Sequence, residues 1–341
     1  MDTRGLVLRL GAGMVILALV LRLFSACSLP AGQWLQRPDI LSFLIYLQTG
    51  RRVHYRPQEM PVTKPTAPGP LPTMPPKPEE EPAIVPVFGR QDMDYIAVNY
   101  SCDYRPDMEA LLTAPLQWQL KAGEPTVLII HTHATESYTK APGEIYEESG
   151  NYRTLEHAYN MISIGEEIAR ILTEGGISVL HDKSFHDYPS YNGSYSSARG
   201  SIQAYLNQYP SIRMVLDLHR DAAGDGSTGQ LVTSAVVNGE DSAQLMLVAG
   251  SDNGSGNFPN WQENLALALK LHAQLTRTHP GLCRPLQLRR QRFNLDMTPG
   301  SLLVEVGAAG NTRAQALVAA RALAEGILAL AQGTLTEDST M

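Results

Sequence analysis

The chain has 341 residues, a formal net charge of −7, 43% hydrophobic residues and 18% charged residues, a balance typical of a folded protein. The negative charge leaves no basic footprint and argues against nucleic acid as a partner. Three cysteines are too few for a disulfide scaffold or a cysteine-rich zinc site, although Cys102 and Cys283 could either pair outside the cytoplasm or stay unpaired.

The N-terminal region, residues 1–30, predicts a membrane anchor or a signal. Residues 6–26 are almost wholly apolar, but Arg9 and Arg22 shorten the uninterrupted run below the ~20 residues of a spanning helix. The span is long enough if both arginines extend to the membrane interfaces. A faint lipoprotein-like cleavage site ends at Cys27, so anchor, cleaved signal and lipoprotein all stay open. We favour the anchor because a stalk follows it.

Residues 31–93 are interpreted as an apolar patch followed by a linker. The patch, residues 40–47, is too short to span a membrane and suits an interfacial helix or a docking segment. Residues 51–90 carry 11 of the chain's 23 prolines, which predicts an extended tether. At about 3.1 Å per residue, such a tether reaches on the order of 100 Å. A substrate at some distance from a membrane is therefore expected.

Residues 94–333 are predicted to form one globular domain, with a short tail at 334–341. Strand-like runs alternate with helical periodicity in this region, a pattern typical of an α/β fold with a mixed, mainly parallel sheet flanked by helices. The predicted strands are 127–130, 177–180, 214–218, 230–237, 245–250 and 301–306, and the predicted helices are 160–174, 197–206, 264–279 and 312–332.

The strand at 127–130 is followed at once by His131, His133 and Glu136, where open α/β sheets place their ligand sites. His133 and Glu136 form an H-x-x-E pair, and a second apolar run leads to His219. Two histidines and a carboxylate are the ligand set of catalytic zinc, with a fourth position left for water. His131 competes with His133, because alternation along a strand points both side chains the same way. The H-x-x-E spacing favours His133.

Several motifs together resemble the stage II sporulation protein P family of endospore-forming bacteria, over roughly residues 94–332. They are HTHATESY at 131–138, HDKSFHD at 181–187 with YN at 191–192, DLHRD at 217–221, RFN at 292–294 and LVEVG at 303–307 with NT at 311–312.

The resemblance implies a membrane-anchored, zinc-dependent N-acetylmuramoyl-L-alanine amidase whose catalytic domain is extracytoplasmic. Such an enzyme acts on peptidoglycan, also cleaves peptide cross-links, and works with stage II sporulation proteins D and M during engulfment. The implied fold is the one shared by zinc amidases and zinc carboxypeptidases. Two other functions stay open: another zinc peptidase, such as a carboxypeptidase, and a non-catalytic tethered scaffold that binds the wall.

The same resemblance assigns roles to further residues. Glu305, which ends the last predicted strand, is implied as the general base that takes a proton from the attacking water and passes it to the leaving amine. Glu156 resembles the metal-binding glutamate of cell-wall amidases and is the alternative to Glu136. Arg220 follows His219, where it could steady an oxyanion or a substrate carboxylate, or pair with Asp217 or Asp221 as support for the site.

Overall fold

A computed structural model describes residues 87–120, 122–148, 151–222, 230–252 and 256–335 of the chain. The predicted membrane anchor and apolar patch lie outside these residues, as do nearly all of the stalk and of the tail.

The described part is an α/β domain whose elements we number in chain order. The strands are β1 (Val98–Ser101), β2 (Val127–Ile130), β3 (Val179–His181), β4 (Met214–Asp221), β5 (Ala235–Val237), β6 (Glu240–Ser242), β7 (Leu245–Gly250), β8 (Leu286–Arg289) and β9 (Gly300–Ala308). The α-helices are α1 (Met108–Thr113), α2 (Met161–Glu174), α3 (Ser194–Gln208), α4 (Trp261–Thr278) and α5 (Arg313–Leu335), and short 3-10 helices cover Arg90–Tyr95 and Leu295–Met297.

Seven strands form one sheet in the order β1-β8-β7-β9-β4-β2-β3. Every neighbouring pair in this sheet is parallel except β7 and β9, which are antiparallel. The predicted α/β fold with a mixed, mainly parallel sheet is therefore confirmed. The strand β9 lies at the centre, between β4 and β7, and both of its neighbours fix its register.

The sheet is covered on both faces, as the continuous apolar run of β2 predicts. Val127 and Ile129 belong to the larger core, which the helices α2, α4 and α5 cover. Leu128 and Ile130 belong to a smaller core on the opposite face, which α3 covers through Ala198 and Ile202. The helix α3 covers this face only near β2, so the part of the face beyond β4 is not covered by α3.

The helix α5, which corresponds to the predicted helix at 312–332, packs inside the domain. It includes the one stretch among the described residues, Arg313–Ala331, that is long and apolar enough to cross a membrane. However, 61% of that stretch is buried inside the domain, where it packs against α2 and α4.

The structure differs from the sequence prediction in its shorter strands. The predicted strand at 230–237 is reduced to β5, which pairs with β6 through a turn with positive φ at Asn238 (51°) and Gly239 (84°). An Asn-Gly pair is a strong hairpin signal, because both residues tolerate such angles. The prediction also missed β1 and β8 and the short helix α1. Cys102 and Cys283 are both free thiols.

Candidate functional site

The centre of the candidate site is a pair of residues on adjacent strands. His219 of β4 lies directly beside Glu305 of β9 in the parallel register. Neighbours in register point to the same face of a sheet, so these two side chains are held side by side by the backbone. His219 is buried, whereas Glu305 is partly exposed as a whole residue but has a buried Oε2.

The turn after β2 separates the two candidate histidines. The strand ends at Ile130, and the amide of Glu136 then donates to the carbonyl of His133 at 3.1 Å. This turn breaks the strand alternation, which by itself did not distinguish His131 from His133. The ring of His133 lies 5.2 Å from the ring of His219, at 87°. The structure thus brings His133 to His219.

His131 instead has its own buried partners. Its Nδ1 lies 3.2 Å from the carbonyl oxygen of Leu218, and its Nε2 lies 2.8 Å from Nε2 of His181. Gly165 of α2 packs against this histidine pair, and a Cβ atom there would lie 2.6 Å from each Nε2. His131 is therefore enclosed between the sheet and a helix that needs glycine at this point.

Glu136 meets His219 from the loop, and Glu156 does not. The Oε2 atom of Glu136 lies 3.6 Å from Nδ1 of His219, and its Oε1 accepts from Arg153 at 3.2 Å. Glu156 is exposed, and its Oε1 accepts from the amide of Glu147 at 2.9 Å. Of the two glutamates that the sequence left open, the structure places Glu136 at the site.

Arg220 lies beneath the site rather than in open space. Its Nε donates to the carbonyl of Ser137, and its Nη2 donates to the carbonyls of Asn151 and Tyr152, all at 3.0 Å. Its Nη1 lies 3.6 Å from Oε1 of Glu136, and its backbone amide donates to Oε2 of Glu136 at 3.2 Å. The guanidinium thus contacts Glu136, which the sequence analysis named as a candidate metal ligand but not as a partner of Arg220.

The two aspartates proposed as partners of Arg220 have other contacts. Asp217 accepts from the amide of Thr132 at 2.8 Å and from its hydroxyl at 2.6 Å. Its Oδ1 also lies 3.0 Å from Nε2 of His219, although that ring N–H does not point at the oxygen well enough for a hydrogen bond. Asp221 contacts Arg284 at 2.7 Å. Asp217 therefore fixes both the loop after β2 and the ring of His219.

Aromatic and ionic groups that were given no role from the sequence surround His133. The ring of Tyr191 stacks on that of His133 with centroids 4.6 Å apart, although Tyr191 is 56% exposed. Arg153 lies 5.0 Å above the Tyr191 ring and donates to Asp187 at 2.6 Å. Asp187 and Tyr191 belong to motifs that carried the family resemblance, whereas no sequence signal identified Arg153.

The buried charges shift several pKa values in the site. Burial lowers the pKa of His133 to about 4, with a further lowering from the charge of His219. Burial opposes a charge on His219 as well, but the carboxylates of Asp217, Glu136 and Glu305 raise its pKa to about 10. Burial raises the pKa of Glu305 to about 8. The carboxylates around His219 thus favour a positive charge at this point.

The residues present fit a zinc ion in donor chemistry. Among the described residues, no group of three or more His, Cys, Asp or Glu side chains converges as a ready-made metal site. However, Nδ1 of His133 and Oε2 of Glu305 are buried and have no hydrogen-bond partner in the described part of the chain. Buried polar atoms without a partner are costly, and a cation beside His133 would remove that cost. Two imidazoles and one carboxylate are a ligand set that zinc accepts.

The fold and site together define an α/β domain with imidazoles and carboxylates gathered where parallel strands end. The model of the family described as "Stage II sporulation protein P (SpoIIP)" matches residues 76–328. The chain belongs to the stage II sporulation protein P family, as its motifs predicted.

One curated relative is the stage II sporulation protein P of Bacillus subtilis (strain 168), which is 26% identical over 221 residues. That match covers 61% of this chain and 51% of the relative, so the chain spans about half of the relative's length.

Solved structures similar to this chain include three N-acetylmuramoyl-L-alanine amidases. AmiC2 of Nostoc punctiforme has 17% identity and a TM-score of 0.36, with 61% of this chain and 97% of that chain covered. Ami1 of Mycobacterium abscessus has 14% identity and a TM-score of 0.34, with coverages of 61% and 99%. An amidase of Clostridium difficile 630 has 16% identity and a TM-score of 0.33, with coverages of 64% and 99%. These similarities are low, and the family assignment rests on the sequence match.

Proposed function

We propose that this chain is a zinc-dependent peptidoglycan hydrolase that cleaves the N-acetylmuramoyl-L-alanine amide bond. We propose that it also cleaves peptide cross-links at the same site. The observation that carries the proposal is the pairing of His219 with Glu305 across β4 and β9, with His133 and Glu136 brought against it. This arrangement supplies a metal-ligand set and an acid–base group within one small region. The choice of substrate follows the family resemblance.

In this proposal His133, Glu136 and His219 hold the zinc ion. When bound, zinc polarises the amide carbonyl and lowers the pKa of the attacking water. Asp217 orients His219 through its contact with Nε2, which leaves Nδ1 on the side of Glu136. Such supporting carboxylates fix the orientation of a ligand histidine and raise its basicity.

Glu305 serves as the general base and then as the general acid. Its carboxylate takes a proton from the attacking water, and the resulting hydroxide adds to the carbonyl carbon of the amide, whose oxygen becomes negatively charged. Glu305 then donates the proton to the amide nitrogen, the C–N bond breaks, and the amine departs neutral. Proton transfer by a positioned side chain typically contributes ~10²–10⁴-fold to a rate.

Arg220 is assigned a positioning role in this mechanism. Three of its hydrogen bonds hold backbone carbonyls, and its remaining contact is with Glu136. Arg153 contacts the same carboxylate from the loop. Together the two guanidiniums hold the carboxylate of Glu136 in place beside His219.

The predicted anchor and stalk complete the proposal. An N-terminal anchor with an extracytoplasmic domain would restrict the hydrolase to wall within reach of the stalk, in keeping with the proposed role in sporulation engulfment. Stage II sporulation proteins D and M are the proposed partners. Protease added to intact protoplasts should remove the domain, and full protection would overturn this location.

The assignment of roles is tested with five variants of the full-length protein: His133→Ala, His219→Ala, Glu136→Gln, Glu305→Gln and Glu156→Gln. Bound zinc and the release of peptide from purified peptidoglycan are measured for each variant, with the fragments identified by mass.

Variants of the three ligands should lose both zinc and activity, since each ligand supplies metal-binding free energy. Glu305→Gln should keep its zinc and lose ~10²-fold or more in rate. Glu156→Gln is the matched control and should behave as the wild type. Loss of zinc from Glu305→Gln, or full activity in that variant, would overturn the role given to Glu305.

A further inference from the structure

The face of the sheet that carries Glu305 is open beyond α3. On the far side of β9, Met246 of β7 lies in register with Glu305, and Val248 lies in register with Leu303. Val248 is also in register with Gln287 of β8. All of these side chains therefore share one face. They surround a cavity of about 400 Å³, whose lining also includes Tyr195, Asp221, Arg284, Arg289 and Phe293.

The cavity has an apolar floor and a basic far end. Met246, Val248 and Leu303 form the floor, and each is buried. Arg289 of β8 lies in register with Gly250 of β7. Gly250 is four residues along β7 from Met246, which lies in register with Glu305. The acid–base group and this arginine thus lie at opposite ends of one cavity.

The two arginines of the cavity differ in their partners. Arg284 is paired with Asp221 at 2.7 Å. Within the described ranges, the half-buried guanidinium of Arg289 has no ion pair and no hydrogen-bond acceptor. A guanidinium presents several N–H donors in a fork that matches a carboxylate. A partly buried one that lacks a partner is suited to an anionic group of a ligand.

We propose that this cavity holds the peptide side of the scissile amide, and that Arg289 binds a carboxylate of the stem peptide. The inference rests on the proposed function and names the substrate group that the site selects. The residue that protonates the leaving amine must lie beside the nitrogen, so the leaving group extends into the cavity that Glu305 lines. In muramoyl amide hydrolysis that leaving group is the stem peptide.

The dimensions of the sheet agree with this placement. Four residues along a strand span roughly 13 Å, and two strand spacings span roughly 10 Å, so the Cα atoms of Glu305 and Arg289 are on the order of 16 Å apart. After the reach of both side chains, a gap of roughly 7–10 Å remains, which is two to three residues of extended peptide. The bound carboxylate then belongs to the second or third residue after the scissile bond.

Binding of three stem peptides to the full-length protein tests the proposal without turnover. The first is L-alanyl-γ-D-glutamyl-L-lysine amide, which keeps the free α-carboxylate of glutamate. The second has that carboxylate amidated. The third is amidated at glutamate but has a free C-terminal carboxylate. Dissociation constants are measured by calorimetry for the wild type, Arg289→Gln and Arg290→Gln. Arg290 is the matched control, because it is exposed and paired with Asp103 at 2.6 Å.

The wild type should bind the first or the third peptide ~10-fold or more tightly than the second, as a charge-assisted hydrogen bond warrants. Arg289→Gln should remove that preference and leave binding of the second peptide unchanged, whereas Arg290→Gln should keep it. The preferred peptide identifies which carboxylate is bound, and a terminal carboxylate would match a carboxypeptidase-like substrate. Equal binding of all three peptides, no binding of any, or equal weakening of all three by Arg289→Gln would overturn the proposal.

Hydrolysis of the corresponding muramoyl peptides separates this inference from the proposed function. If the zinc-loaded wild type hydrolyses none of them but its peptide binding depends on Arg289, the proposed function fails and the peptide pocket stands. The opposite result is that the wild type hydrolyses the carboxylate and amide forms with the same KM, and that Arg289→Gln changes the KM of neither form. The proposed peptide pocket would then be wrong, and the proposed hydrolase function would stand.

Discussion

The change Asp217→Asn removes a charge from the centre of the site while preserving its shape. Asp217 is fully buried and contacts the amide and hydroxyl of Thr132 and Nε2 of His219, at 2.8, 2.6 and 3.0 Å. Burial alone would raise the pKa of Asp217, but His219 and the bonds from Thr132 outweigh it and hold that pKa below its usual value. The native carboxylate is therefore charged, and an amide in its place can accept at only one of its two ends.

The expected losses follow from these contacts. A hydrogen bond to a charged group contributes about 1.5–3 kcal/mol, against about 0.5–1.5 kcal/mol for a neutral pair. Weakening the two bonds from Thr132 should then cost about 2–3 kcal/mol of unfolding free energy. Loss of the carboxylate behind His219 should weaken zinc binding by ~10–100-fold, as found for partners of metal-ligating histidines.

Both quantities are measurable on one pair of variants. Urea unfolding of the metal-free protein gives the free energy, and competition with a chelator gives the zinc affinity. Asp221→Asn is the control, because it changes a neighbouring carboxylate of β4 that pairs with Arg284. The proposed role of Asp217 would be refuted if the Asp217→Asn protein kept its zinc affinity within twofold of the wild type while the Asp221→Asn protein lost its zinc affinity.

Two further predictions concern stability. Burial lowers the pKa of Lys270, which donates to the carbonyl of Leu112, to about 8. Between pH 8 and pH 10.5 the side chain of Lys270 holds a proton in the unfolded chain but has lost it in the folded chain. The free energy of unfolding should therefore rise by about 3 kcal/mol over this range, and urea unfolding of Lys270→Met should not show the rise. Gly165→Ala should lower the free energy of unfolding by about 1–3 kcal/mol, because the new methyl group meets the rings of His131 and His181; an unchanged urea midpoint would contradict this packing.

The sequence predicted the parts of the fold that have strong periodicity. The buried strand β2, the long helices and the mainly parallel sheet followed from apolar runs and their spacing, and motif order identified the family. The shorter strands β1 and β8 were missed, because each has only four residues and carries polar side chains that resemble loop sequence.

The sequence also named the residues that meet at the site, and its H-x-x-E spacing favoured His133, but strand alternation alone could not separate His133 from His131. Whether His131 or His133 reaches His219 depends on where β2 stops, and that is set by a turn between His133 and Glu136. Arg153 had no signal at all, since its contact with Glu136 depends on the path of a long loop. Such contacts are properties of the folded chain and leave no periodic trace in the sequence.

The register shared by His219 and Glu305 has a consequence for engineering this protein. A slip of one residue between β4 and β9 would turn Glu305 to the opposite face, so the spacing of this pair cannot be tuned in small steps. Random mutagenesis aimed at these two strands should mostly yield inactive proteins. Libraries aimed at the loop of Tyr191 and at β8 leave that register intact, and are the better route to altered substrate selectivity.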